Sequence, residues 1–132
     1  MRITNKSHAE TRGVRVLVES RFLEEQSQPA AERFAFAYRV RIENVGNEVV
    51  QLRTRHWVIT DATGHVEEVR GLAVVGHQPL LKPGEAFEYT SWTQVATPQA
   101  TMRGTFFCMT EDAHPFDTPV AEFALVFPGA LH

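Results

Sequence analysis

Phe34-Ala35-Phe36-Ala37-Tyr38-Arg39-Val40-Arg41-Ile42 is the stretch on which the fold turns. Large apolar side chains stand at 34, 36, 38, 40 and 42, with only Ala and Arg between them. Successive side chains of a strand point to opposite faces, so this period of two sends one set inward and the other outward. A helix would scatter the same five residues around its axis. The stretch predicts a strand with one covered face.

Working outward, the same kind of run recurs on both sides. Val14 to Phe22 is rich in β-branched residues. Asn44-Val45-Gly46-Asn47-Glu48 supplies Asn and Gly, which tolerate positive φ and predict a hairpin turn before a strand from Val49 to Thr60. Asp61-Ala62-Thr63-Gly64 reads as the next turn, followed by a short strand from His65 to Arg70. A glycine-bounded stretch, Gly71 to Gly76, comes after it. In Leu81-Lys82-Pro83-Gly84, Pro sets φ and Gly can take the left-handed position. Phe87 to Ser91 alternates again, and Thr97 to Ala100 reads as a loop. Met102 to Met109, a proline-containing loop from Glu111 to Pro119, and Val120 to Phe127 complete the chain.

These runs predict an all-β fold of about seven to eight strands. Alternation says that each sheet keeps one face wet, which fits an antiparallel β-sandwich of immunoglobulin or fibronectin type III kind. Residues 1–11 are polar and are expected to be loose, with the sandwich domain spanning 12–128. One strand is ambiguous in register. Trp57 and Ile59 put its odd residues inside, whereas Leu52 and Val58 argue for the even ones.

Composition narrows the function. A chain of 132 residues predicts one domain, and area scaling buries about two-thirds of the unfolded surface, enough for a core without staples. Net charge is −3, and Lys6 and Lys82 are the only lysines, so the clustered cations of a nucleic-acid footprint are missing. No run approaches the roughly 18 apolar residues of a membrane span. Met1 to Glu10 lacks the apolar stretch of a secretory signal, and the single Cys108 can form no internal disulfide, so a cytoplasmic protein is expected.

Candidate chemistry is sparse. The histidines lack the spacings that place two imidazoles on one metal ion; Asp112-x-His114 is the best local pair, and no cofactor is called for. His56 is expected to be a satisfied structural histidine, the alternative being a surface group that binds an anion beside Arg55. Trp92, just past a strand end, is expected to be a ring folded over the sandwich edge, the alternative being an exposed aromatic handle. Cys108, between Phe107 and Met109, reads as a buried, inert thiol. There is no Gly-x-Ser-x-Gly elbow, and the acids at Glu24-Glu25 and Glu67-Glu68 look like solvated edge residues. The reading is non-enzymatic.

Taken in order, the residues resemble the ApaG family. The resemblance is carried by Phe34-x-Phe-x-Tyr-x-Val-x-Ile-x-Asn44, then Gln51-Leu52-x-x-Arg55-His56-Trp57-x-Ile59-x-Asp61-x-x-Gly64. It continues through Val69-x-Gly71-x-x-Val74-Val75-Gly76-x-Gln78-Pro79-x-Leu81-x-Pro83-Gly84-x-x-Phe87-x-Tyr89-x-Ser91. Thr97-Pro98-x-x-x-Met102-x-Gly104 and Phe123-x-Leu125 close it. The resemblance implies a fibronectin type III-like sandwich, a link to cobalt and magnesium tolerance, and a relation to domains of F-box and polymerase-interacting proteins that act in protein interaction. It also implies a Gly-x-Gly-x-x-Gly stretch for which pyrophosphate binding has been proposed. This chain departs there: Gly71 and Gly76 are present, but the middle position is Ala73, and Ala100 replaces a second usual glycine. A phosphate loop needs glycine for close approach and a helix start behind it, whereas His77-Gln78-Pro79 follows.

Two classes of function therefore stand. The first is a binding domain that meets a protein partner through an edge strand or loop end; the sequence leaves a homodimer open. The second is a binder of a small anion, such as pyrophosphate or a nucleoside polyphosphate, at Gly71 and Gly76 with Arg55 or Arg70 as counter-charge, or of a divalent metal.

Overall fold

The computed structural model describes residues 3–74 and 76–130; Val75, in the glycine stretch, and the chain ends lie outside the described residues. Among the described residues nine strands run in order: β1 (Lys6–Thr11), β2 (Val14–Phe22), β3 (Phe34–Asn44), β4 (Val50–Asp61), β5 (Val66–Leu72), β6 (Leu80–Leu81), β7 (Ala86–Val95), β8 (Gln99–Thr110) and β9 (Pro115–Val126). They form two antiparallel sheets, β1-β2-β3-β7 and β5-β4-β8-β9, with β6 paired to β4 beyond the end of β5. The architecture is the β-sandwich that alternation predicts. Among the described residues no helix is long and apolar enough to cross a membrane.

The strand that decides the fold buries the predicted face: Phe34, Phe36, Tyr38, Val40 and Ile42 are all buried, while Arg39 and Arg41 are exposed. Trp57 is the hub of the interior. Its indole meets Tyr38 at 5.4 Å, Phe106 at 6.0 Å and Phe123 at 6.1 Å between ring centroids, all in edge-on geometry. Gly104 makes room for it. A Cβ there would run into the His56 carbonyl oxygen and lie 2.8 Å from a carbon of the indole.

Three expectations differ from what is found. Residues 6–11, expected to be loose, form β1, which pairs with β2 from Lys6↔Glu19 to Thr11↔Val14. Its inward residues are the small Ser7, Ala9 and Thr11, which lie opposite Val18, Val16 and Val14, so no apolar alternation marks it. Arg12 and Gly13, both with positive φ, make the two-residue turn that twists correctly for a hairpin. The loop expected to run to Pro119 ends at His114, for β9 begins at Pro115 and holds both Pro115 and Pro119. As the last strand of its sheet β9 has a free side, where a missing N–H breaks no ladder bond. The third concerns Thr97 to Ala100, expected as a loop: β8 already starts at Gln99.

The ambiguous register of β4 has a physical cause. A bulge between Leu52 and Thr54 inserts one residue relative to β8, so the parity reverses at Arg53. Val50 and Leu52 face inward before it, opposite Thr110 and Cys108. Trp57 and Ile59 face inward after it, opposite Gly104 and Met102.

Candidate functional site

The two long sides of the sandwich are unlike. On one, the chain before β1 and strand β9 are stitched together: Ala124 N–H donates to the Thr4 carbonyl at 2.7 Å, and the buried Ser20 hydroxyl donates to the Ala124 carbonyl at 2.6 Å. On the other, the end strands β5 and β7 are not joined by any backbone bond among the described residues.

β5 is the more open of the two. Every residue except Gly71 is exposed, including Val66, Val69 and Leu72. Its ladder to β4 is bounded by two bonds, Asp61 N–H to the His65 carbonyl and Ala73 N–H to the Arg53 carbonyl. Antiparallel pairs alternate between bonded and non-bonded, so His65, Glu67, Val69, Gly71 and Ala73 turn their backbone groups toward β4. Val66, Glu68, Arg70 and Leu72 turn theirs away from the sheet. Of these outward groups, the Leu72 carbonyl already accepts from Arg55 Nη1.

The side chains of β5 divide by face. Val66, Glu68, Arg70 and Leu72 lie on the outer face, opposite Thr60, Val58, His56 and Thr54. There the Glu68 carboxylate binds His56 Nε2 at 2.7 Å and Arg70 at 3.4 Å. Glu67, Val69 and Gly71 lie on the inner side, opposite Ile59, Trp57 and Arg55. Arg55 lays its guanidinium over Gly71, where a Cβ would sit 3.0 Å from Nη1.

Behind Arg55 the open side is lined with polar groups. Burial raises the pKa of the Tyr38 hydroxyl, against a hydrogen bond with Ser91 and the charge of Arg55. Burial raises that of Tyr89 further, helped by neighbouring Tyr38 and opposed by Arg55 and Trp57. The Trp57 indole nitrogen and the Tyr89 hydroxyl are both buried without a well-aligned hydrogen bond among the described residues.

The residues singled out from sequence scatter across this geometry. Arg55 and Gly71 meet. Arg70 points from the opposite face of the sheet, so Arg55 and Arg70 do not converge on Gly71. Gly76 has φ 83° and no neighbour around its would-be Cβ. It belongs to a tight turn in which Val74 and His77 exchange both backbone bonds. The amides of Ala73, Val74 and His77 are thus already given to carbonyls. Gln78 and Pro79 anchor this segment to β4: Gln78 Nε2 donates to the Arg53 carbonyl, and Leu52 N–H donates to the Pro79 carbonyl. Pro83 and Gly84 form the predicted turn, with Gly84 at φ 87° and Glu85 N–H returning to the Lys82 carbonyl. His56 is held by Glu68, as a satisfied histidine should be, and Trp57 is core.

Asp112 and His114 do come together, 3.4 Å apart, both strongly exposed. The Thr110 hydroxyl holds the Asp112 carboxyl below its usual range, with His114 adding to this. No group of three metal-ligating side chains gathers there or elsewhere among the described residues. Cys108 is buried, and burial pushes its thiol up to about 11. Trp92 is a correction: β7 runs on to Val95, which puts Trp92 within the strand on its outward parity, opposite Ala37, and 61% exposed.

Sequence reasoning missed the exposed β5. A signal was present, since Val66, Val69 and Leu72 are spaced by three, and a strand with that spacing cannot bury all of them on one face.

Comparison with known proteins agrees with this architecture. A family model described as the ApaG domain matches residues 24–110. Protein ApaG of Ralstonia nicotianae is 58% identical over 117 residues, covering 89% of this chain and 94% of that one. Protein ApaG of Bordetella pertussis is 53% identical over 117 residues, covering 89% of each. A crystal structure of a Bordetella pertussis protein superimposes with a TM-score of 0.85 at 47% identity, covering 96% of this chain and 98% of that one. With a family match over most of its length and relatives this similar, the chain belongs to the ApaG family.

Proposed function

We propose that this protein is a non-catalytic binding domain that recognises a protein partner along the free edge of β5. One observation carries the reading: β5 is a seven-residue edge strand with exposed Val66, Val69 and Leu72 and outward backbone groups at alternate residues. Sandwiches commonly blunt such edges with lysine, proline, bulges or other charges; β5 has no lysine, proline or bulge, and its only charges are Glu67, Glu68 and Arg70, the last two paired with each other. Addition of a partner strand supplies the missing backbone bonds, and the apolar side chains supply the specificity.

A small-anion site at Gly71–Gly76 is the weaker reading. The nearby amides are bonded to carbonyls, Arg55 is engaged with Leu72, Arg70 is paired with Glu68, and Glu67 and Glu68 make the strand acidic. The test is capture from native extract by the full chain, by a Val66→Lys/Leu72→Lys variant, and by a Glu122→Lys control at an exposed position of β9. Partners recovered by the wild type and the control should be lost from the β5 variant. Equal recovery by all three would remove β5 as the recognition surface.

A further inference from the structure

The order of side chains along β5 is self-complementary, and we infer that a second copy of this chain docks on it, antiparallel, about a two-fold axis at Val69. The inference rests on β5 being the recognition edge and names one occupant for it. Reading Val66-Glu67-Glu68-Val69-Arg70-Gly71-Leu72 against its own reverse pairs Val66 with Leu72, Glu68 with Arg70, and Val69 with itself. Apolar meets apolar and acid meets base on the outer face, twice each by symmetry. Cross-strand pairs of this kind stabilise a ladder, whereas like charges placed opposite one another weaken it.

The backbone agrees with this register. Val66, Glu68, Arg70 and Leu72 are the residues whose N–H and C=O face away from β4. In the self-paired register each falls opposite another outward residue, so all four become bonded pairs. The Leu72 carbonyl keeps a second lone pair beside its bond from Arg55.

Glu67 and Gly71 are the one apparent mismatch, and Arg55 resolves it. On the inner side Glu67 of the second copy comes opposite Gly71, which has no side chain and carries the Arg55 guanidinium across it. The carboxylate of the second copy therefore approaches a cation over the glycine. Any larger residue at 71 would displace that cation. The two sheets become one continuous sheet across the dimer, and a foreign strand and a second copy exclude each other.

Sedimentation equilibrium of the full chain up to about millimolar concentration tests this, since one added strand is a small interface of modest affinity. Four samples are compared: wild type, Glu68→Arg, Arg70→Glu, and an equimolar mixture of the two variants. The wild type should dimerise with rising concentration. Each variant alone places like charges opposite each other and should self-associate at least about tenfold more weakly. The mixture restores Arg against Glu at both positions and should form a heterodimer, which also shows that both variants are folded. A wild type that stays monomeric overturns the inference, as do variants that dimerise like the wild type or a mixture that does not recover. The partner-binding reading fails separately, if the Val66→Lys/Leu72→Lys variant still captures what the wild type captures.

Discussion

Along the side where Thr4 and β9 meet, the two sheets share backbone and hydroxyl bonds, and the covering strands carry small or buried inward residues. Along the side bounded by β5 and β7, no backbone bond joins the two end strands among the described residues, three large apolar residues of β5 stand in solvent, and Arg55 lies over Gly71. The same fold thus has one side closed by its own bonds and one whose edge strand is left exposed. Stability concentrates where polar groups are satisfied and apolar groups are buried.

The sharpest way to break this contrast is to damage the common interior. Phe123→Ala removes a fully buried ring packed on Trp57 and Tyr38 and should lower stability by about 3–5 kcal/mol in urea unfolding. A much smaller loss would mean that the interior is not centred on Trp57. Ser20→Ala tests the closed side alone. It leaves the Ala124 carbonyl without its hydroxyl donor and should destabilise by about 1–3 kcal/mol in the same measurement. No change would show that the closed side is not held there.

The open side should respond to alkali instead. Tyr38 and Tyr89 hold their protons more tightly folded than unfolded, because burial raises both pKa values. Their contribution is complete below about pH 10, the unfolded value, and is lost as the pH rises above it. Tyr89→Phe should flatten that alkaline decline, and an unchanged pH profile would place the decline elsewhere. Least affected should be Val66→Lys and Leu72→Lys, both exposed, each within about 0.5 kcal/mol of the wild type. A large loss would mean that β5 packs against the protein itself.

Where burial is one-sided, the sequence is easy to read. β2 spans Val14–Phe22 as its composition suggests, and β3 begins at the predicted Phe34. β1 is not legible, because its covered face holds Ser7, Ala9 and Thr11, whose size matches the valines of β2 without marking a period. The candidate site is half legible. Arg55 and Gly71 stand out in the motif and do meet, but Arg70 lies one residue along and so on the other face. Trp92 misleads because its strand continues beyond it to Val95.

The β class, the turn at Pro83-Gly84, the buried thiol of Cys108 and the family are all legible in the linear chain, because each depends on local periodicity, on φ preference or on an ordered set of residues. Which side of the sandwich is closed, where β4 reverses its parity, and that β5 ends its sheet emerge once the strands are assembled. Those depend on which strands become neighbours, and strand order follows from packing between residues far apart in the chain, which no local pattern encodes.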